Sequence, residues 1–166
     1  RGINLILDLS RIDKKNKYYV FGGSKKEHKN IRKYNVNNNL FFHEQIPFVN
    51  VKKEIEKMDL LLMPYTKKAT VSGDYGNIID FMSPMKMFDY LASGKIIISA
   101  DLKVLREVLK HNYNAIMVRN YQNKYSWIRE INKINLFQSK YILIKKNALH
   151  TSKLYTWENR AKQMLD

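Results

Sequence analysis

The sequence predicts a doubly wound α/β domain built on a parallel sheet, and three observations carry that expectation. Strand-like apolar runs alternate with stretches of helical period along the chain. Runs such as 59–63 (Asp-Leu-Leu-Leu-Met) and 96–99 (Ile-Ile-Ile-Ser) are continuously apolar, which marks strands covered on both faces by helical crossovers. The length of 166 residues suits one domain with a sizeable core rather than two ordinary ones. Residues 1–166 are therefore expected to form a single domain, with its C-terminal helices starting at about residue 124.

Taken in order, residues 3–12 carry Leu5, Ile6, Leu9 and Ile12 at helical spacing and predict a helix. Residues 17–21 (Lys-Tyr-Tyr-Val-Phe) form a β-rich run stopped by Gly22 and Gly23. A second short apolar run, 39–42, ends before the polar His43-Glu44-Gln45. Residues 49–58 predict a helix and 59–63 a buried strand closed by Pro64. Residues 66–82 have little period and contain Gly73 and Gly76, so a long loop is expected. A helix over 83–93 has the clearest start in the chain. Ser83 suits the cap and Pro84 the first position, Met85, Phe88, Leu91 and Ala92 supply the apolar stripe, and Gly94 fits the exit. A strand at 96–99, a helix at 102–109 and a strand at 115–118 follow, and the rest is mostly helical. The chain opens directly in a helix, whereas a doubly wound domain feeds such a helix from a strand. That predicts further chain upstream.

Composition excludes several classes. The chain is 45% hydrophobic and 27% charged, which is globular. It has no cysteine, which removes disulfide scaffolds, thiolate zinc sites and cysteine nucleophiles. No apolar run approaches a membrane span, and residues 1–4 show no signal-peptide pattern, so a cytoplasmic domain is expected. Net charge is +15, from 30 basic and 15 acidic residues. Such a balance fits nucleic acid, anionic lipid or a phosphate-bearing substrate. Lysine dominates over arginine here, though, and it is scattered along the chain amid abundant Asn, Ile and Tyr. Codon bias with solvated faces accounts for that pattern, and nucleic acid is not expected as a partner.

In doubly wound folds ligands sit beyond the carboxyl ends of the strands. The candidate positions are Gly22-Gly23-Ser24, Gln45-Ile46-Pro47, Pro64-Tyr65 with the loop after it, the start of the 83–93 helix, and Asp101. A helix start attracts phosphate oxygens, and Lys86 adds a full positive charge just inside it. The plain alternative is a capped core helix with an exposed lysine. Residues 22–26 lack the Walker A spacing, and there is neither a G-x-G-x-x-G nor a G-x-S-x-G pattern. His28, His43, His111 and His150 are isolated from one another, and no Asp-x-Asp pair is present, so no metal is expected.

The blocks 59–65 (Asp-Leu-Leu-Leu-Met-Pro-Tyr), 83–95 (Ser-Pro-Met-Lys-Met-Phe-Asp-Tyr-Leu-Ala-Ser-Gly-Lys), 96–101 and 105–109, in that order and spacing, resemble group-1 (family 4) retaining glycosyltransferases. The likeness is to the C-terminal, donor-nucleotide-binding half of their two Rossmann-like domains, the GT-B architecture. It takes in Arg1-Gly2, the Gly22-Gly23 turn and a terminal helix at Thr156-Trp157-Glu158-Asn159-Arg160. The resemblance implies a nucleotide-sugar donor, UDP- or GDP-linked, with no cofactor. It also implies a glycan or lipid-linked acceptor, held by an N-terminal domain and compatible with peripheral contact at the cytoplasmic face of the membrane.

Residue by residue, it implies that Arg1 and Lys86 grip the diphosphate, with Ser83 and the backbone of Met85 beside it. Asp89 takes the acid position that holds the ribose, and Gly22, Gly23, Ile46 and Tyr65 complete the nucleotide site. The family's other acid falls at Phe81, which cannot contact sugar as an acid does, so neighbouring Asp80 is expected to substitute. Three alternatives remain at this stage: a sugar-nucleotide 2-epimerase of the same fold, a basic nucleic-acid-binding module, and a domain rendered non-catalytic by Phe81.

Overall fold

The computed structural model describes residues 2–32, 38–66, 84–136 and 138–165. Strands and helices alternate: α1 (Ile3–Ile12), β1 (Tyr18–Phe21), α2 (Lys25–Arg32), β2 (Leu40–His43), α3 (Phe48–Glu56), β3 (Leu60–Met63), α4 (Met85–Ser93), β4 (Ile96–Ala100), β5 (Ile116–Val118), α5 (Lys124–Leu136), α6 (Ile142–Leu154) and α7 (Trp157–Leu165). A 3-10 turn, Lys103–Glu107, joins β4 to β5, and another, Gln138–Tyr141, precedes α6.

Every strand pairing is parallel. Tyr18 faces Leu40 and Phe21 faces His43 across β1 and β2. Leu60 faces Ile96 across β3 and β4, and Ile98 faces Ile116 across β4 and β5. Among the described residues the strands form two parallel ladders, β1-β2 and β3-β4-β5, in keeping with the parallel α/β architecture expected. β1 pairs with β2 and β3 with β4, and an open cleft lies between the two ladders.

β4 explains the core. All five of its residues are buried, as are the three of β5, so both faces of these strands are covered. Leu9 of α1, Leu91 of α4, Leu105 of the Lys103–Glu107 turn and Trp127 of α5 are fully enclosed around them. Each such side chain contributes about 1.5–3 kcal/mol. β2 alternates between buried and exposed, so the β1-β2 ladder is covered less completely. Trp127 Nε1 donates to the carbonyl of Tyr121 at 2.9 Å, which satisfies its buried polar atom. Asn114, 1% exposed, is likewise satisfied: Oδ1 accepts from the amide of Lys110, and Nδ2 donates to Val108 O and Thr151 Oγ1.

Three elements differ from expectation. α4 begins at Met85 because Pro84, at φ −73° and ψ 111°, keeps an extended backbone and sits at the N-cap instead of the first helical position. The helix expected over 102–109 contracts to a 3-10 turn, the usual form of so short a connector. α2 was not expected, because Ile31 is its one aliphatic side chain and no apolar stripe marks it. Among the described residues no helix is long and apolar enough to cross a membrane.

Candidate functional site

β1, β2 and β3 end side by side at one end of the molecule, and each ending is built by a different local device. β1 ends in Gly22 and Gly23, at φ 107° and 85°, values that L side chains rarely adopt. Beyond them Ser24 and Glu27 form a reciprocal cap on α2. The Ser24 amide donates to Glu27 Oε2 at 2.7 Å, and the Glu27 amide to Ser24 Oγ at 3.3 Å. The Ser24 amide and the Ser24 hydroxyl, the latter at 2.9 Å, donate to the Glu27 carboxyl and hold it below its ordinary pKa. His28, buried, lies 2.7 Å through Nε2 from the carbonyl of Gly22 and pins the turn from below.

β2 ends in an extended stretch over residues 44–47 that delivers Gln45 and Ile46 to the cleft, and Pro47 starts α3. β3 ends at Pro64, where α1 starts. Gly2 caps α1 at φ 73°, and a Cβ there would run into the Pro64 carbonyl oxygen. The amino ends of α1 and α4 thus both lie by the end of β3, α4 through Lys86, whose Nζ stands 4.7 Å above the centroid of the Tyr65 ring. Neither helix carries an acidic residue in its first turn. Helix starts leave their first N–H groups without an intrahelical acceptor, and in α4 Met87 is the first to donate back, to Pro84 at 2.9 Å. This end of the molecule is therefore suited to an anion, each helix terminus contributing about 0.3–1 kcal/mol and more where partly buried.

Gly22, Gly23, Ile46, Lys86 and Asp89 line one open cleft of about 1140 Å³. Lys86 and Asp89 stand one turn apart on α4, a cation toward the helix start and an acid behind it. Partial burial raises the Asp89 carboxyl above its ordinary pKa. Tyr65 is buried, its ring beneath Lys86, and Met85 is 69% exposed at the head of α4. Asp101 is held by Arg106, which donates through Nε at 2.6 Å and through a terminal nitrogen at 2.9 Å, so it anchors the β4–β5 connection. Arg1, Asp80, Phe81 and Ser83, with most of the expected 66–82 loop, lie outside the described residues. Gln45 and Pro64, both among the candidate positions, also line the cleft, as does Tyr90, which the sequence did not single out. The Ser24-Glu27 cap had a readable signal, the S-x-x-E spacing. Among the described residues no group of three or more His, Cys, Asp or Glu could hold a metal ion.

Residues 2–150 match the family model for glycosyl transferases group 1. Among curated proteins no sequence match was found. Solved structures match over almost the whole chain. HepE of Anabaena, in complex with UDP-glucose, aligns with a TM-score of 0.71 at 15% identity, over 98% of this chain and 43% of that one. Sucrose-phosphate synthase from Thermosynechococcus elongatus aligns with a TM-score of 0.77 at 16% identity, over 98% and 40%. A glycosyltransferase from Rickettsia africae aligns with a TM-score of 0.71 at 14% identity, over 99% and 42%. The chain thus spans less than half the length of each. Its α/β architecture with parallel sheets is that of the C-terminal Rossmann-like domain of GT-B glycosyltransferases.

Proposed function

The chain belongs to the glycosyl transferases group 1 family, and from that premise we propose that it is the donor-binding domain of a retaining, family 4 enzyme. It takes a UDP- or GDP-linked sugar and passes the sugar to a glycan or lipid-linked acceptor held by a second domain, in the cytoplasm or at the cytoplasmic face of the membrane. The observation that carries this reading is the pairing of Lys86 with Asp89 on the first turns of α4, in one cleft with Gly22, Gly23 and Ile46. The UDP-glucose in HepE supports the choice of donor class.

The chemistry follows from charge. Breaking a sugar–diphosphate bond leaves negative charge on the diphosphate and an oxocarbenium-like sugar. In this reading Lys86 and the α4 amino end, with the backbone N–H of Met85 and the Ser83 side, stabilise the departing diphosphate, and Arg1 grips it from the start of α1. A donor aimed at developing charge is worth roughly 2.7–4 kcal/mol. Asp89 accepts hydrogen bonds from the ribose hydroxyls. The positive-φ glycines let backbone approach the ligand closely, Tyr65 steadies Lys86 from beneath, and Ile46 lies against the base. Asp80 takes the sugar contact that Phe81 cannot make. No metal is required by this set.

Isothermal titration of the chain with UDP, GDP and ADP tests the reading. One diphosphate should bind in preference to its monophosphate. Lys86→Ala and Asp89→Asn should each weaken that binding about 10- to 100-fold, the worth of one charge-assisted hydrogen bond, with far-UV circular dichroism unchanged. Equal affinity of the wild type and both variants would overturn it. Product analysis on the protein with both halves should show transfer with retention at the anomeric carbon; release of a free epimerised sugar would replace the transferase by an epimerase.

A further inference from the structure

A surface helix normally turns its apolar side chains inward and polar ones outward, and α6 departs from that rule on its outer side. Inward it sets Ile144, Ala148 and Thr151, all buried. It runs along α4 in the opposite direction. Tyr155, just past its end, has its ring 5.5 Å from that of Phe88 near the start of α4, and Leu149 meets Gly94 at the exit of α4. At 3.6 residues per turn, Ile142, Leu143, Lys146, His150, Lys153 and Leu154 share about a third of the circumference on the outer side, and all six are exposed. The three aliphatic ones are 52%, 64% and 57% exposed.

This face carries one sign of charge. Residues 131–157 hold five lysines and no acid. Of those lysines, only Lys133 meets a carboxylate among the described residues, Glu130 at 2.9 Å. The first acid beyond the stretch, Glu158, is taken up by Lys162 at 3.3 Å. Lys146 and Lys153 therefore stand between aliphatic side chains with no counter-ion of the chain beside them.

Whatever covers such a face must supply negative charge and room for aliphatic tips. A second copy fits poorly, because a two-fold contact through this face sets the lysines of one copy against those of the other, with no acid to separate them. Protein interfaces in general are depleted in lysine and enriched in arginine and aromatic anchors, and this arc holds no Arg, Phe, Tyr or Trp. Ile and Leu beside Lys on one helix is instead the composition that settles at the boundary of an anionic bilayer, aliphatic tips below the headgroups and ammonium groups among the phosphates.

We propose that the outer face of α6 docks on an anionic lipid surface, with Ile142, Leu143 and Leu154 reaching into the acyl boundary and Lys146 and Lys153 meeting the headgroup phosphates. None of the residues that line the cleft belongs to α6, so the test needs no nucleotide and its outcome is independent of the donor reading.

Vesicle co-sedimentation, with far-UV circular dichroism as the check on folding, tests it. The chain should pellet with vesicles of phosphatidylcholine and phosphatidylglycerol in equal parts and stay in solution with phosphatidylcholine alone. The pair Lys146→Glu and Lys153→Glu, and separately the pair Ile142→Ser and Leu143→Ser, should each lower the partitioning about tenfold or more. Should a double variant lose its helical spectrum, Lys146→Gln and Leu143→Ser singly carry the same comparison. A chain that ignores both vesicles, binds the neutral ones equally well, or binds no better than its variants would overturn the proposal. So would a dimer seen by light scattering that the same substitutions abolish, which would give the face to a second copy.

Discussion

Asp13 ends α1 and gathers a set of donors from a short stretch of chain. Its carboxylate accepts from the amides of Lys15 and Asn16, from Asn16 Nδ2 at 2.7 Å and from the Tyr18 hydroxyl at 2.7 Å. Burial alone would raise its pKa, yet the bonds from Asn16 and Tyr18 outweigh burial and the net shift is downward. Tyr18 is pushed the other way, chiefly by burial and then by Asp13, and keeps its proton. The stabilisation Asp13 supplies is therefore present in full above the ordinary value of 3.8, fades as pH falls below it and is gone once Asp13 itself protonates. Asp13→Ala should cost about 1–3 kcal/mol at neutral pH, the penalty of leaving buried donors unpaired. Urea denaturation from pH 7 to pH 3 should show the wild-type advantage shrinking only at the acid end. The sequence hides this network because nothing in the Asp13 neighbourhood marks it as more than the end of a helix. Lys86 and Asp89 were legible in a different way: their helix could be read from period and breakers, and their roles came from the resemblance of the surrounding block.

At the scale of elements, period and breakers locate α1, α3, α4 and the strands to within two residues, because each buries an apolar face that the sequence must spell out. α2 spells out none. It relies on its Ser24-Glu27 cap, whose hydroxyl and carboxylate each receive one backbone N–H. Ser24→Ala should speed amide exchange at Glu27 and His28 roughly fivefold, the effect of a typical N-cap. It should also loosen the Gly22-Gly23 turn that His28 supports, with little change at α4; NMR hydrogen exchange reads both.

For the molecule as a whole, the charge of +15 is carried by the helices and the segments between elements, since none of the five described strands contains a lysine or arginine. Described acids are largely spent locally, as in Arg11 with Asp8, Lys57 with Glu54 and Lys133 with Glu130. Exposed pairs of this kind contribute little each. Raising salt from about 50 to about 200 mM should weaken UDP binding only severalfold, measured by titration. A protein making many phosphate contacts to duplex DNA would lose roughly 10³–10⁵ over that range. Composition made the sign and size of the charge legible, and the strand runs made the α/β class legible.

Gly94 ends α4 at φ 64°, and any Cβ there would press within 2.9 Å of the Leu149 side chain on α6. The two helices thus share a joint with no room for even a methyl group, and α6 in turn is tied by Thr151 to Asn114 ahead of β5. A rod seated so tightly transmits small rotations instead of absorbing them. The methyl resonances of Leu149, at the far end of α4 from Lys86, make a natural listening post: they should shift when a diphosphate settles at Lys86, long before any product is assayed.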